Sequence, residues 1–336
     1  MKSLYIVFPE KGKVELREES IALPDRGEML CAAEKSLISI GTETYCLRGV
    51  FDPGTNWEEW VQYPFRPGYS MVARVVAVGK DVAGLREGDR VAVDVAHQQF
   101  FRTKPEEAYL LPDTIGDEDA TWTNLACTTQ LGVRRAELQL GETVGVVGLG
   151  MLGQLVVQYL AVSGARKIIA IDLVQNRLEV AKAHGATHAL ALDVKSARKK
   201  IVKITESKML DVVFDVTGHP AVLAPSIQLL RRLGRVILLG DTPTPSQQCL
   251  GPGVVSDSIA ILGIHGTMSP AQASEFNPWS REEMTALFFD YLTQGRMCVS
   301  DLITHRYSPL DAPQVYAGLL QDRSTAIGVV FDWNLL

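Results

Sequence analysis

The sequence contains little cysteine, and its cysteines are scattered. Five occur among 336 residues, none of them in a CxxC pair. Disulfide frameworks and thiolate zinc sites need an even number of cysteines or close spacing. The composition therefore argues against a disulfide-stabilised scaffold and indicates reduced thiols.

Long apolar runs are also missing. No segment reaches the roughly 18 residues that a membrane-spanning helix needs, although 46% of the chain is hydrophobic. Residues 1–10 hold one lysine and a strand-length apolar stretch, which is too short for a signal peptide. We therefore expect a cytoplasmic protein that has no membrane partner.

An excess of positive charge is absent as well, since the net charge is −6. The one basic run, residues 195–203, has helical spacing and no interleaved aromatic residues. We predict a solvated helix face there and no nucleic-acid partner.

The chain changes character near residue 115. Before it, helical periodicity is scarce, and short apolar runs separated by turns predict a barrel-like antiparallel domain. After it, strands and helices alternate, which is typical of a doubly wound parallel sheet. Residues 325–332 form a final apolar strand that should rejoin the barrel. We expect a barrel domain of residues 1–115 and 270–336, its boundary lying within 270–310, and a nucleotide-binding domain of residues 116–269.

The strongest motif is a strand, a glycine loop and a helix in direct succession, at residues 143–160. The strand is apolar and β-branched, and helical spacing begins after the glycines. In such loops one glycine makes the turn, one admits a pyrophosphate, and one packs helix against strand. The motif predicts a dinucleotide site at Gly148, Gly150, Met151, Leu152 and Gly153.

A second apolar strand ends at Asp172, about 20 residues past the glycines, where dinucleotide-binding folds place an acid on the ribose. A carboxylate accepts hydrogen bonds from a 2′-hydroxyl and repels a 2′-phosphate, so NAD is the predicted cofactor. Arg177 is a candidate to cover the adenosine. The alternatives are a purely structural turn and a helix-capping role for Asp172.

Later strands of such a sheet should also point towards the cofactor, because ligands bind at the carboxyl ends of the strands. Each of these loops could equally be an ordinary connection. The residues predicted on this ground are Thr217, Gly218, Gly240, Ile264 and His265.

Further segments, together with the glycine loop, resemble the medium-chain dehydrogenase/reductase superfamily over nearly the whole chain. They are Gly41-Thr-Glu43, Pro67-Gly-Tyr-Ser70, GLREGDRV at residues 84–91 and ITHRYSPL at residues 303–310. The resemblance implies an α/β protein with a GroES-like antiparallel β-barrel domain and a Rossmann domain with a doubly wound parallel sheet.

The sequence departs from the zinc alcohol and polyol dehydrogenases of that superfamily. The first ligand position of the family carries Ile40, its histidine-glutamate pair is Tyr69-Ser70, and the third ligand falls on or near Asn124. None of these is a good zinc ligand. The four-cysteine lobe of a structural zinc is missing too. The chain is therefore similar to zinc-independent members, such as the bacteriochlorophyllide hydroxyethyl dehydrogenases, and we expect no metal.

Without zinc, a side chain must handle the alcohol proton. Thr42 matches the hydroxyl with which the family relays that proton, and Thr128 matches the residue that packs on the nicotinamide. Glu43 has the alternative role of holding its loop, and a lone histidine such as His97 at a strand end is typical of a satisfied surface residue. The catalytic candidates are Thr42, Glu43, Tyr69, His97 and Asn124.

The predicted activity is hydride transfer between NAD(H) and a small-molecule secondary alcohol or ketone: a polyol, sugar, cyclitol or larger hydroxyl substrate. The apolar edge strand at residues 259–264 predicts a homodimer. The aromatic segment at residues 51–65 predicts a substrate-facing lid, or else a loop packed by its own tryptophans. The alternative functions are an NAD(P)H-dependent quinone or enoyl reductase and a catalytically inactive nucleotide-binding protein.

Overall fold

The computed structural model describes residues 1–336 and divides into two compact units. The barrel unit comprises Met1–Asn124, Phe288–Thr293 and Val299–Leu336, and the sheet unit comprises Leu125–Leu287 and Gln294–Cys298. These boundaries lie at other positions than the expected 115 and 270. None of the helices combines the length and the apolar character needed to cross a membrane.

The first third of the chain is mostly short strands. Its elements are β1 (Lys2–Val7), β2 (Glu15–Ser20), β3 (Met29–Leu37), α1 (Ile40–Arg48), α2 (Asn56–Trp60), β4 (Met71–Val78), β5 (Arg90–Val93), β6 (Phe100–Thr103), β7 (Ala108–Leu110) and α3 (Asp117–Ala120). The short strands expected in this part are confirmed, whereas the helices α1 and α2 and the strand β6 were not expected.

The middle of the chain alternates as predicted. Its elements are α4 (Thr123–Arg135), β8 (Thr143–Val147), α5 (Met151–Val162), β9 (Lys167–Asp172), α6 (Gln175–Ala183), β10 (His188–Ala191), α7 (Val194–Ile204), β11 (Leu210–Asp215), α8 (Leu223–Ile227), β12 (Leu230–Leu238) and β13 (Ala260–Gly263). The basic run lies on α7, whose lysines and arginine are exposed.

The last part of the chain passes from the sheet unit to the barrel unit within α9 and lies wholly in the barrel unit from Val299 onwards. Its elements are α9 (Arg281–Thr293), β14 (Ile303–Tyr307), α10 (Ala312–Gln321) and β15 (Gly328–Asp332). Strand β15 pairs antiparallel with β3, Val330 opposite Leu37, so the prediction that the final strand rejoins the barrel is confirmed.

The barrel unit is built on one seven-stranded sheet in the order β14-β15-β3-β4-β5-β7, with β6 also paired to β3. All its pairs are antiparallel except β14 with β15. Its core includes Met29, Met71, Val91, Phe101 and Trp333. Strands β1 and β2 form a separate hairpin sheet.

The sheet unit has six parallel strands in the order β10-β9-β8-β11-β12-β13. The chain runs outwards from β8 to one edge, then restarts beside β8 and runs to the other edge. Rossmann folds have this order, and their ligands bind where the direction reverses, between β8 and β11. The predicted fold class is confirmed.

Helix α1 forms although its sequence has weak helix formers, because both of its ends are fixed. Ser39 is the N-cap, and its N–H donates to the Glu43 side chain at 2.7 Å. At the other end Gly49 has a φ of 61°, and its N–H donates to the Tyr45 carbonyl. Glycine reaches this left-handed conformation without strain, so the helix ends there.

Candidate active site

A buried carboxylate lies against the first turn of α1. The Glu43 side chain is almost fully buried and accepts the Ser39 N–H. In the opposite direction, the backbone N–H of Glu43 donates to the Ser39 carbonyl at 2.8 Å. Glu43 therefore fixes the residue at which α1 begins, and two residues separate that residue from the end of β3.

Two further donors reach this carboxylate from distant parts of the barrel unit. His97 Nε2 lies 3.1 Å from Glu43 Oε2, and the Tyr316 hydroxyl donates to the same oxygen. Tyr316 is buried on α10, where burial, followed by the charge of Glu43, raises the pKa of its phenol well above the usual value. Glu43 thus acts only as an acceptor, as an ionised carboxylate does.

His97 is held from its other side by Ser36. Its Nδ1 lies 2.8 Å from Ser36 Oγ, which also accepts the Trp333 indole N–H at 2.9 Å. Nε2–H can donate to Glu43, and Ser36 Oγ can either donate to Nδ1 or accept from it, because a hydroxyl oxygen has two lone pairs.

The interpretation of His97 as a surface residue is wrong. Its side chain is 0% exposed, its backbone N–H donates to the Pro67 carbonyl, and its ring packs edge-on against Phe331. Gly68 has a φ of 98°, and a Cβ there would lie 2.7 Å from the His97 ring. The sequence keeps glycine at this position because the imidazole takes that space.

The Tyr69 phenol lies on the more accessible side of α1. It donates to Ser39 Oγ at 2.5 Å and lies 3.2 Å from Thr42 Oγ1, and both Tyr69 and Thr42 are half-buried. Burial raises the pKa of Tyr69 to about 12, opposed by the bonds to Ser39 and Thr42 and assisted by Glu43 and Cys46. At neutral pH the phenol is therefore a neutral hydrogen-bond donor.

Together these side chains form what we term the α1 cluster: Ser36, Ser39, Thr42, Glu43, Tyr69, His97, Tyr316 and Trp333. Asn124 is half-buried on α4 and shares no hydrogen bond with it. Ser36, Ser39, Tyr316 and Trp333 were missed from the sequence. The only sequence motif near them is Gly41-Thr-Glu43. The remaining hydrogen-bond partners are as much as 297 residues apart in the chain, so no local pattern links them.

In the sheet unit, the glycine loop has the expected geometry. Gly148 has a φ of 88°, and a Cβ on Gly153 would lie 2.0 Å from the Gly148 carbonyl oxygen. A Cβ on Gly150 would meet no atom within 4 Å. The loop closes tightly at its ends and is open over its middle, as a pyrophosphate site requires. Helix α5 begins at once with Met151 and Leu152.

Asp172, at the end of β9, is engaged by the backbone on both oxygens. It accepts the Leu149 N–H at 2.7 Å and the Val174 N–H at 2.9 Å. The N-cap of α6 is Val174, not Asp172. The carboxylate therefore ties the glycine loop to the turn before α6. Gln154 holds Arg177 at the same place by donating to its carbonyl at 2.9 Å.

The loops after β11 and β12 meet beside the glycine loop. A Cβ on Gly240 would lie 2.4 Å from the Gly218 nitrogen, and a Cβ on Gly148 would lie 2.8 Å from the Thr217 side chain. Thr217 Oγ1 donates to Asp215 Oδ1 at 2.7 Å. The structure thus brings Thr217, Gly218 and Gly240 together at the switch point.

Thr128 joins the loop that follows β13. A Cβ on Gly266 would lie 2.3 Å from Thr128 Oγ1, and Gly266 directly follows Ile264 and His265. His265 Nδ1 lies 2.7 Å from Thr267 Oγ1. Thr128, which was predicted to pack on the nicotinamide, therefore lies beside the loop that carries Ile264 and His265, which were predicted to point towards the cofactor.

The aromatic segment at residues 51–65 is packed by its own rings. Trp57 on α2 is 5% exposed and contacts Phe51, Tyr45 and Trp60 at ring distances of 5.8 to 6.1 Å. Trp60 is 47% exposed. The geometry favours a packed loop around Trp57, with Trp60 at its surface.

An antiparallel barrel unit with a hydroxyl cluster, followed by a Rossmann sheet with an open glycine loop, is the architecture of two-domain dehydrogenases. Two family patterns match the chain: "Alcohol dehydrogenase GroES-like domain" over residues 35–158 and "Zinc-binding dehydrogenase" over residues 152–282. The protein belongs to the zinc-binding dehydrogenase family, within the medium-chain dehydrogenase/reductase superfamily, and is an oxidoreductase.

Characterised relatives act on hydroxyl compounds. The chain is 28% identical to a sorbitol dehydrogenase of Bacillus subtilis, over 61% of this chain and 67% of that protein. It is 25% identical to an L-threonine 3-dehydrogenase of Burkholderia cenocepacia, over 83% of this chain and 86% of that protein.

Solved structures share the fold at low identity. An alcohol dehydrogenase of Escherichia coli, complexed with NADH, has a TM-score of 0.81 at 19% identity and covers 99% of both chains. A zinc-binding-dehydrogenase-type protein of Sinorhizobium meliloti, bound to NADP, has a TM-score of 0.80 at 19% identity and the same coverage.

Proposed function

We propose that this protein is an NAD(H)-dependent, zinc-independent dehydrogenase that interconverts a secondary alcohol and its ketone, with Tyr69 handling the proton. The observation that carries the proposal is the Tyr69 phenol, bonded to Ser39 and Thr42 at a position where zinc relatives carry a metal ligand. The relatives that act on sorbitol and threonine support a hydroxyl substrate.

The residues present fit a nicotinamide dinucleotide. The open backbone over Gly150, at the start of α5, suits the pyrophosphate, and Asp172 lies where the ribose acid is expected. When bound, the cofactor supplies or accepts the hydride. We propose NAD(H) because Asp172 would repel a 2′-phosphate. Relatives of this fold bind NADH or NADP, so the choice depends on this carboxylate.

The residues do not fit a catalytic zinc ion. Ile40 offers no ligand atom and is buried at the start of α1. The Tyr69 phenol, with a pKa of about 12, is protonated and already hydrogen-bonded. Asn124 offers a neutral amide, which is a poor zinc ligand. We therefore derive no step through a metal, and elemental analysis of the purified protein should find no stoichiometric zinc. One tightly held zinc per chain would contradict this part of the proposal.

In ketone reduction, the neutral Tyr69 phenol turns its one hydrogen from Ser39 Oγ to the carbonyl oxygen and gives up that proton as the alcohol forms. The Ser39 and Thr42 hydroxyls can then donate to the phenolate. In alcohol oxidation the phenolate must form first. Because the pKa of Tyr69 is about 12, phenolate is scarce at neutral pH, and the oxidation rate should rise with pH up to that range.

The test is Tyr69→Phe, assayed with NADH and a panel of sugar, cyclitol and aromatic ketones. Loss of a general acid should lower kcat by about 100-fold to 10,000-fold while NADH affinity stays unchanged. Tyr63→Phe is the matched control, since Tyr63 is a half-buried tyrosine of the same unit whose hydroxyl bonds only the Cys46 carbonyl. If Tyr69→Phe retains full turnover, Tyr69 is not the proton donor.

We also propose a homodimer formed through β13, an edge strand of the parallel sheet with Ile261 and Leu262 only partly buried. Light scattering should report about twice the chain mass of 36.8 kDa. A monomer at micromolar concentration would contradict it.

A further inference from the structure

A groove in the barrel unit lies between helix α10 and β14, the edge strand of the seven-stranded sheet. Its volume is about 410 Å³, a size typical of small-molecule sites. No residue of the α1 cluster lines the groove. The residues that α10 and its two caps contribute are three or four positions apart, so they share one face of the helix. These residues, which we term the α10 stripe, are Asp311, Gln314, Val315, Gly318, Leu319 and Asp322.

The middle of the groove is open and its floor is apolar. Gly318 has no side chain, and a Cβ at this position would meet no atom within 4 Å. The buried apolar side chains that line the groove form its floor, and these are Val315, Leu319, Ala326 and Val329. An apolar floor gains from contact with hydrocarbon, whereas it offers nothing to a compact hydrated ion. The groove therefore suits a ligand with a hydrocarbon chain.

Each end of the groove carries a carboxylate. Asp311 is the N-cap of α10 and Asp322 is its C-cap, so the rise of the helix places them about 16 Å apart along its axis. The Asp311 side chain makes no capping bond, and Asp322 accepts the N–H and the hydroxyl of Ser324. The partial negative charge of the helix C-terminus adds to that of Asp322. No lysine or arginine lines the groove, so its charge is complementary to a cation at both ends.

Between its ends the groove has an aromatic flank. His305 and Tyr307, two residues apart on β14, both line it, and their rings stack with centroids 6.0 Å apart and planes 11° apart. Aromatic rings attract alkylammonium ions through the negative charge of their faces. The Gln314 side-chain oxygen and the Thr325 hydroxyl add two uncharged acceptors to the lining. The groove can therefore receive positive charge along its length as well as at its ends.

We propose that this groove binds a linear polyamine, whose terminal ammonium groups pair with Asp311 and Asp322 while its methylene chains lie on the apolar floor. Such a ligand alternates hydrocarbon with positive charge, as the groove alternates apolar side chains with acceptors. An extended tetraamine such as spermine is about as long as α10, so it reaches both carboxylates. A short diamine reaches only one of them. The inference is independent of the proposed dehydrogenase activity.

The experiment is isothermal titration calorimetry of the protein with spermine, and with putrescine as the short diamine. We expect one spermine per chain, bound about tenfold or more tighter than putrescine because both ends are held at once. Gly318→Leu fills the groove with a side chain that helices accept readily, and it should weaken spermine binding by about tenfold or more. Ala317→Leu is the matched control, since it adds the same side chain at an exposed position of α10 outside the groove, and binding should not change.

Charge variants test the two ends of the groove. Asp311→Asn and Asp322→Asn each remove one negative charge and keep the side-chain shape, and each should weaken spermine binding by about twofold to fivefold. Glu87→Gln removes one negative charge from an exposed turn of the same unit, outside the groove, and should leave binding unchanged. An equal loss in Glu87→Gln would mean that spermine is attracted by the acidic surface in general, which overturns the inference.

The inference is also overturned if spermine shows no saturable binding at millimolar concentration, or if Gly318→Leu binds it as tightly as the unmodified protein. A smaller particle mass of Gly318→Leu in light scattering would overturn it as well, because a second copy of the chain would then occupy the groove. Should circular dichroism show that Gly318→Leu does not fold, the two aspartate variants and Glu87→Gln decide. None of these measurements requires turnover, so a failure of the proposed function leaves the inference standing.

Discussion

The glycine loop of the sheet unit and the α1 cluster of the barrel unit differ in what forms them. The loop is made of backbone: its shape depends on the absence of Cβ atoms at Gly148 and Gly153, and its open face has no side chain at Gly150. The α1 cluster is made of side chains, each held by another. Its members come from β3, α1, α10 and the last residues of the chain, and from the loops that carry Tyr69 and His97.

This difference determines how each site responds to substitution. In a site made of backbone, an added Cβ destabilises the fold where the chain packs on itself. Where the site is open, an added Cβ leaves the fold stable and weakens only ligand binding. A side-chain cluster loses function by degrees, because each partner removed leaves others in place. Three substitutions test this contrast, and they follow in order of decreasing effect.

The largest effect is expected for Gly153→Ala. Its Cβ would lie 2.0 Å from the Gly148 carbonyl oxygen, so the loop or the helix must move. We expect a loss of about 3 kcal/mol or more in the free energy of unfolding, measured by urea titration. Gly150→Ala is the control: it has open space and an extended backbone, so stability should change by less than about 0.5 kcal/mol. NADH affinity of Gly150→Ala should nevertheless fall by about tenfold or more, and unchanged affinity would show that no pyrophosphate lies there.

Asp172→Ser should give an intermediate effect. With NAD(H) the carboxylate accepts charge-assisted hydrogen bonds worth about 1.5 to 3 kcal/mol, and with NADP(H) it faces a dianion, so a preference of roughly a hundredfold should disappear. The readout is the ratio of NADPH to NADH dissociation constants from fluorescence titration. Asp172 also accepts the backbone N–H groups of Leu149 and Val174, and the loss of these bonds should weaken the binding of both cofactors equally. The ratio of the two dissociation constants therefore reports cofactor choice alone. A variant that keeps its NADH affinity and still rejects NADPH would leave Asp172 with the structural role alone.

The smallest of the three effects is expected at Gly68. An alanine there would adopt a φ of 98° and place its Cβ 2.7 Å from the His97 ring, and we expect a loss of about 2 kcal/mol or more in thermal or urea unfolding. Gly54→Ala has a φ of 75° with no atom within 4 Å, so it isolates the backbone strain, at about 1 to 2 kcal/mol. Equal losses in the two variants would mean that His97 yields readily, which contradicts the tight packing of the cluster.

The sheet unit was predictable because its signals are local. Strand β8 was expected at residues 143–147 and is found at Thr143–Val147, since a β-branched run between polar and glycine residues has few alternatives. The meeting of Thr217, Gly218 and Gly240 follows from strand order alone.

The barrel unit was less predictable because its elements depend on distant partners. Residues 40–48 contain Gly41, Thr42 and Thr44, which are weak helix formers, and the helix exists because Glu43 and Gly49 fix its ends. Strand β6 is short and pairs with β3, so nothing adjacent in sequence marks it. Tyr316 could not be linked to Glu43 from the sequence, since 273 residues separate them.

The pairing of β15 with β3 has a consequence for the order in which the newly made chain becomes structured. Ribosomes release residues 125–287 of the sheet unit before β15, and domains begin to fold as they emerge. Until β15 has been made, β3 can pair with β4 and β6 but its last residues, 35–37, have no partner on the β15 side. Glu43 and Ser36 likewise lack their bonds to Tyr316 and Trp333. Most of the sheet unit, residues 125–287, can therefore fold during translation, whereas the α1 cluster is complete only after residue 333 has been made.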